Sequence, residues 1–135
     1  MAEDAAETGA EDAVIELATK IFGLARSGDT TALTDYLDAG TPVNLTNDSG
    51  DTLLMLAAYH GRHDVVKLLL DRGADPNRGN DRGQTPIAGA VFKGETEIVL
   101  ALLAGGADPK AGTPSALDAA AMFGRDDLVM LLSAD

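Results

Sequence analysis

The chain has 135 residues, no cysteine and a formal net charge of −12 at pH 7. Its length fits one domain with its own core, and the lack of cysteine excludes disulfides, zinc–thiolate sites and thiol catalysis. A surface this acidic repels phosphate backbones and anionic lipid headgroups, so we expect neither nucleic acid nor membrane as a partner, whereas a basic protein would associate faster.

The first segment, residues 1–12, consists mainly of acidic and small residues that supply no core. We expect an acidic extension that is either disordered or continues into the first helix, since alanine and glutamate favour helices. The start lacks the basic and apolar regions of a signal peptide, and no apolar run reaches the roughly 20 residues that span a bilayer. We therefore expect a soluble, cytoplasmic protein. The acids of this segment are Glu3, Asp4, Glu7, Glu11 and Asp12, and no basic residue precedes Lys20.

From residue 13 onward the chain repeats at a fixed interval. This interval separates Gly73-Ala74-Asp75-Pro76 from Gly106-Ala107-Asp108-Pro109, and it also separates Gly61 from Gly94. A fixed period of this length, about 33 residues, indicates one small supersecondary unit that has been copied and stacked. The predicted domain, 13–135, divides into units at about 13–46, 47–79, 80–112 and 113–135.

Each unit is predicted to contain two short helices, of which the second unit gives the clearest example. Apolar residues at 65, 66, 69 and 70 line one face of its second helix at helical spacing. Gly61 ends the first helix, and Gly73 follows the second, where a left-handed cap is needed. Asp75-Pro76 then turns the chain back. The third unit repeats this order, with Thr85-Pro86 at the start of its first helix.

The outer units are imperfect copies of the inner two. Counting one period back from Gly61 gives Gly28, and apolar positions from Val14 onward predict a somewhat longer first helix there. Gly124 follows Gly94 by less than one period, so the turn that precedes the last unit is shorter than the others. End units usually depart from the pattern because one of their faces meets water.

These residues resemble the ankyrin repeat, whose first helix opens with Thr-Pro-Leu-His-x-Ala. Thr85-Pro86-Ile87-Ala88 is the best match, Thr52-Leu53-Leu54-Met55 lacks the proline, and the second-helix pattern at residues 65–75 matches more specifically. The resemblance covers about residues 15–135. It implies an all-α solenoid of four stacked helix-turn-helix units with projecting turns, whose concave face binds proteins and which rarely catalyses reactions.

One departure from the family pattern is systematic. The family histidine, which bridges neighbouring units by hydrogen bonds, is absent, and each lost bond would cost about 0.5–1.5 kcal/mol. Gly23 and Gly89 lie inside first helices, at about 1 kcal/mol each relative to alanine. We therefore expect a stack of moderate stability. The residues at the histidine position are Phe22, Met55, Ala88 and Asp118.

The resemblance also implies where a partner would bind. The residue two before the last glycine of each first helix would point into the concave face, and Tyr59 and Phe92 are its aromatic examples. Aromatic side chains are favoured anchors at interfaces. Alternatively, these side chains complete local packing. With neighbouring and turn residues, the candidate partner-binding set is Arg26, Tyr59, His60, Asp81, Arg82, Phe92, Lys93, Met122 and Phe123.

We predict a monomeric, non-catalytic module that binds another protein as an inhibitor, stabiliser or accessory subunit. No nucleophile, phosphate-binding or cofactor motif stands at the required spacing, so we expect no cofactor and no metal. Two alternatives remain open. One is a small-molecule or metal sensor that uses His60, His63 and the aromatic residues, and the other is a self-associating module that uses a convex patch at Leu100 and Met130.

Overall fold

The architecture is a row of helical pairs. The computed structural model describes residues 2–134, with side chains from residue 11 onward. Within that part the only regular secondary structure is helical, which confirms the expected all-α class. The helices are α1 (Ala2–Ser27), α2 (Thr30–Asp38), α3 (Leu53–Tyr59), α4 (His63–Asp71), α5 (Pro86–Phe92), α6 (Thr96–Ala104), α7 (Ala116–Met122) and α8 (Asp126–Ser133).

The pairs stack in chain order to form a solenoid. Helices α1, α3, α5 and α7 contact one another in sequence, and α2, α4 and α6 form a second row behind them. One continuous core lies between the rows, because each helix turns its apolar stripe inward. The largest fully buried side chains include Leu33, Leu53, Leu54, Leu69, Ile87, Ile98, Leu102, Leu128 and Leu132.

Helix α1 is longer than the apolar pattern indicates. It begins at Ala2, whereas the first apolar position that predicts it is Val14. Alanine and glutamate dominate the sequence before Val14, and both favour helix even where no apolar stripe is present. The side chains of Glu3, Asp4 and Glu7 lie outside the described ones, and the division of the chain at residue 12 stays a prediction.

Hydroxyl side chains begin the first helices of the last three pairs. Thr52, Thr85 and Ser115 each accept a hydrogen bond from the backbone N–H three residues later, at 3.0, 3.3 and 3.1 Å. All three are buried, so no water can replace the hydroxyl at these helix starts. Pro86, in the first turn of α5, loses no hydrogen bond there.

Glycine ends the second helices as the sequence predicts. Gly73 has a φ of +83°, and Ala74 N–H then donates to the carbonyl of Leu69 at 2.9 Å, which closes the end of α4. The same arrangement follows α6, where Ala107 N–H donates to the Leu102 carbonyl at 2.9 Å.

Projecting turns connect one pair to the next, and successive turns are joined by backbone hydrogen bonds. Asp81 N–H donates to the Ser49 carbonyl and Thr113 N–H to the Gly83 carbonyl, both at 3.0 Å. Gly50 has a φ of +78°, and a Cβ there would lie 2.9 Å from the Asp81 nitrogen. A side chain at this position would therefore separate the two turns.

Asparagine side chains also link neighbouring units, a role that the sequence reasoning assigned only to the missing histidine. Asn44 Oδ1 accepts a hydrogen bond from Asp75 N–H at 2.9 Å, and Asn77 Oδ1 accepts one from Asp108 N–H at 2.6 Å. Both bonds join one projecting turn to the end of the next unit's second helix. The units are therefore tied together at their turns as well as through the core.

Candidate functional site

A groove with a volume of about 400 Å³ runs along α3, α5 and α7, beside the projecting turns. Met55, Ala88, Gly89 and Ala119 belong to its helical side. Small residues dominate here because the first helices stack closely. Its remaining lining consists of Asp51, Leu56, Tyr59, His60, Arg82, Gln84, Phe92 and Pro114.

Gly89 is the residue that keeps the groove open between α3 and α5. A Cβ at Gly89 would lie 3.2 Å from Met55 Cε and 3.8 Å from Tyr59 Cδ2. Met55 occupies the position of the family histidine and is only 6% exposed. The flexible methionine thus fills the space beside the glycine, as this side chain commonly does in irregular gaps.

Two aromatic rings stand at equivalent places in the second and third pairs. Tyr59 is 38% exposed and Phe92 is 58% exposed, so both present apolar area to solvent. The Tyr59 and His60 rings meet edge to face with centroids 5.4 Å apart, and Phe92 meets Phe123 in the same way at 5.4 Å. Such pairs restrict the orientation of each ring.

Positive charge gathers where the first helices end. Lys93 Nζ lies 4.9 Å from the centroid of the Tyr59 ring, and Arg62 Nε donates a hydrogen bond to the Arg26 carbonyl at 2.6 Å. Partial burial lowers the pKa of His60 below its usual 6.5, and the positive charges of Arg26, Arg62 and Lys93 lower it further. The His60 imidazole is therefore predominantly neutral at pH 7.

The periodic stack agrees with the comparisons to known proteins. A family model described as ankyrin repeats (3 copies) matches residues 21–113, which is more than half of the chain. The chain belongs to the ankyrin repeat family. Ankyrin repeats are generally protein–protein interaction modules and typically non-catalytic. The pair α7–α8 lies beyond the matched residues and forms a fourth unit of the same kind.

A relative in Pseudomonas aeruginosa, a protein named for its ankyrin repeats (PA3287), is 49% identical over 53 residues. The aligned part covers 39% of this chain and 31% of the relative. The chain therefore spans about a third of the length of the curated relative that it matches.

The ankyrin stack brings some of the predicted residues together and leaves others apart. Tyr59, His60, Arg82 and Phe92 line the groove. Arg26 and Lys93 adjoin it through His60 and Tyr59, and Phe123 adjoins it through Phe92. Met122, 73% exposed, does not line the groove, and neither does Asp81, which contacts Gly50 of the preceding turn.

Several residues of this region lie outside the set of candidates that the sequence predicts. Met55 and Gly89 lie deeper than the predicted stripe, and the repeat period that links Met55 to Ala88 is the signal that could have found them. Arg62 and Pro114 offered no such signal, because their places depend on how one repeat lies against the next. The groove residues Leu56, Ala88 and Ala119 also lie outside that set.

Two other surfaces of this ankyrin chain are the region of the histidines and the convex patch. Among the described residues no three histidine or acidic side chains converge as metal ligands would, and His63 instead lies 3.9 Å from Asp64. Leu100 on α6 and Met130 on α8 are both exposed, as the convex patch requires. No helix in the described part of the chain is both long and apolar enough to span a bilayer.

Proposed function

We propose that this ankyrin repeat chain is a monomeric binding module that holds another protein in the groove between Tyr59 and Phe92. One observation carries the proposal. Two aromatic rings at the same place in consecutive repeats stay substantially exposed beside a groove lined by small residues. An exposed aromatic next to a cavity is the usual form of an anchor pocket, because the ring can bury a large area with few rotors to freeze.

In this proposal the chain catalyses no reaction and acts on its partner as an inhibitor, stabiliser or accessory subunit. Its basis is the family, whose members typically bind proteins without chemistry. The face of α3, α5 and α7 is preferred over the convex patch because it combines two exposed aromatic rings with a groove, whereas Leu100 and Met130 are not aromatic.

A small-molecule ligand is the second candidate, favoured by the volume of the groove alone. At about 400 Å³ it falls within the range of small-molecule sites, roughly 300–1,000 Å³. A thermal-shift screen against metabolites distinguishes the two candidates, since a small-molecule site requires at least one stabilising compound.

The test compares a groove variant with a matched convex variant. Tyr59→Ala/Phe92→Ala removes the two rings, and Leu100→Ala/Met130→Ala removes two side chains of similar exposure from α6 and α8. Partner proteins are captured from a lysate of the source organism, identified by mass spectrometry and then titrated in purified form. We expect the groove variant to weaken the partner's affinity by about tenfold or more, and the convex variant by less than about twofold.

Circular-dichroism melts provide the control for folding. All four side chains are exposed, so both double variants should melt within a few degrees of the parent chain. An unchanged affinity of the groove variant would contradict the proposal. A loss confined to the convex variant would instead favour the patch at Leu100 and Met130.

A further inference from the structure

The charge beside the groove has the opposite sign to the charge of the whole chain. The net charge is −12, yet the ends of α1 and α5 and the start of α4 bring Arg26, Lys93 and Arg62 around His60. None of these three cations forms an ion pair with another described side chain. The ion pairs within the described residues are Arg72–Asp38, Arg125–Asp127 and His63–Asp64.

Specific contacts hold the Arg62 and Lys93 side chains of this basic cluster in place. Arg62 donates to the carbonyl of Arg26, and its Cδ would lie 3.1 Å from a Cβ at Gly28, so the side chain lies across the end of α1. Lys93 rests over the Tyr59 ring. The cluster, Arg26, Arg62 and Lys93, is thus continuous with the aromatic wall of the groove.

Acidic groups near the groove do not cancel the cluster. Glu95 lies beside Gly61, where its Oε1 would be 2.7 Å from an added Cβ, but it reaches no described cation within ion-pair distance. Asp29, next to Gly28, accepts a hydrogen bond from Ala32 N–H, and Asp64 lies beside His63. Asp51 and Asp81 belong to the turns at the opposite ends of α3 and α5. The lowered pKa of His60 agrees with a surplus of positive charge on the cluster's side.

We propose that the groove binds an acidic segment of another protein, with an apolar side chain between Tyr59 and Phe92 and carboxylates against Arg26, Arg62 and Lys93. This inference rests on the proposed function and adds the chemistry of the partner. Charge complementarity also orients the segment, because its carboxylates must lie at the helix ends, away from the acidic turns. Arginine suits this role, since its planar guanidinium can hold a carboxylate by two parallel hydrogen bonds.

The net charge of the chain limits what kind of polyanion can approach. A nucleic acid carries phosphate charge along its whole length, and most of that length would meet an acidic surface. The cluster is small, and its three cations are enough for one or two carboxylates. The partner is therefore a protein of neutral or basic overall charge that carries a short acidic segment.

A random twelve-residue peptide library is the probe, displayed on phage and selected on the full chain. Peptides that bind are resynthesised with a fluorophore and titrated by anisotropy. We expect the selected sequences to place aspartate or glutamate beside an apolar residue. Their affinity should fall as sodium chloride is raised from about 20 to 300 mM, because exposed charges are screened over that range.

Charge variants then locate the contact. Arg26→Gln/Lys93→Gln removes two members of the cluster, whereas Lys67→Gln/Lys110→Gln removes two exposed cations elsewhere on the molecule. Each partly exposed ion pair accounts for about twofold to fivefold in affinity, so the first variant should bind roughly 4- to 25-fold more weakly at low salt. The second should change the affinity less than about twofold.

The outcomes separate this inference from the proposed function. The inference would be overturned if the selected peptides require Tyr59 and Phe92 but carry no excess of acidic residues and bind the Arg26→Gln/Lys93→Gln variant equally well. The proposed function of the groove would then stand. If no selected peptide needs Tyr59 and Phe92, both the inference and the proposed function fail. Displacement of the peptide by a twelve-nucleotide DNA at micromolar concentration would overturn the choice of protein. An apparent molecular mass in solution that rises with concentration for the parent chain, but not for the charge variant, would also overturn the choice of another protein. It would assign the acidic segment to a second copy of this chain.

Discussion

At the scale of single residues, two glycines with the same sequence interpretation have different surroundings. Gly23 and Gly89 both interrupt first helices, and both are expected to weaken them. A Cβ at Gly23 would meet nothing within 4 Å, whereas one at Gly89 would press on Met55 Cε at 3.2 Å. An alanine at Gly23 therefore meets no steric obstacle, while an alanine at Gly89 has to displace the Met55 side chain between α3 and α5.

This difference predicts unequal effects for the same substitution. Gly23→Ala should raise the free energy of unfolding by about 0.5–1 kcal/mol, because alanine favours the helix and restricts the unfolded chain. Gly89→Ala should gain less than half of that, since the Met55 side chain must move. Thermal melts measure both, and the first variant should melt about 2–6 °C higher than the parent. Equal gains in the two variants would contradict this account of Gly89.

At the scale of elements, the first helices depend on their buried caps more than on propensity. Helices α3, α5 and α7 each have seven residues, which is too short to be stable alone in water. The first turns are stabilised by Thr52, Thr85 and Ser115. Each hydroxyl accepts a hydrogen bond from a backbone N–H group that is otherwise unpaired.

Thr52→Ala tests this dependence. It should lower the free energy of unfolding by about 1–2 kcal/mol, because the buried N–H of Met55 loses its acceptor. Thr31→Ala is the matched control, since Thr31 is an exposed residue of α2 whose replacement should change stability by less than about 0.5 kcal/mol. Urea denaturation measures both values. A cost at Thr52 no greater than that at Thr31 would show that the cap is dispensable.

At the scale of the whole molecule, stability is a sum of units and of the contacts between them. Asn47 and Asn80 lie one period apart in the sequence. The Oδ1 of each accepts hydrogen bonds from two backbone N–H groups of its own turn. Asn80 also donates to Asp51 Oδ1 in the preceding unit at 2.8 Å. Asn80 also donates to Gln84 Oε1 within its own turn at 2.8 Å, so the two asparagines differ in one contact between repeats and one within the turn.

Asn80→Ala should consequently cost about 1–3 kcal/mol more than Asn47→Ala, because it removes those two contacts together with a nearly buried amide. A double-mutant cycle with Asp51→Ala isolates the pair, and we expect a coupling energy of about 0.5–1.5 kcal/mol. Urea unfolding of the four chains provides the values. A coupling energy of zero would mean that the Asn80–Asp51 contact does not help to hold the repeats together.

Much of the fold could be predicted because it depends on short-range patterns in the sequence. Gly61, Gly73, Gly94 and Gly106 mark helix ends within one or two residues of where the structure places them. The period then carries these assignments from one unit to the next. The start of α1 was not predictable in the same way, since its first residues have helix propensity but no apolar stripe.

The candidate site was predictable only in part. Tyr59 and Phe92 follow from their register within the repeat, and the structure places both beside the groove. Arg62 could not be found, because a cation at the start of α4 becomes part of the site only by lying across the end of α1. Such a contact depends on side-chain geometry between units, which no spacing along the chain records.

By itself, the sequence determined that this protein is a stack of repeated helical pairs, because helix periodicity, caps and the regular repeat interval are local properties of the chain. The ankyrin family followed from the resemblance of its motifs. Its net charge also predicted a basic partner. Only the tertiary structure brought Arg26, Arg62 and Lys93 together beside the aromatic groove and so reversed the sign of the charge there. The reason is physical: net charge acts over the whole surface, whereas a bound segment responds to the few charges within a screening length of about 10 Å.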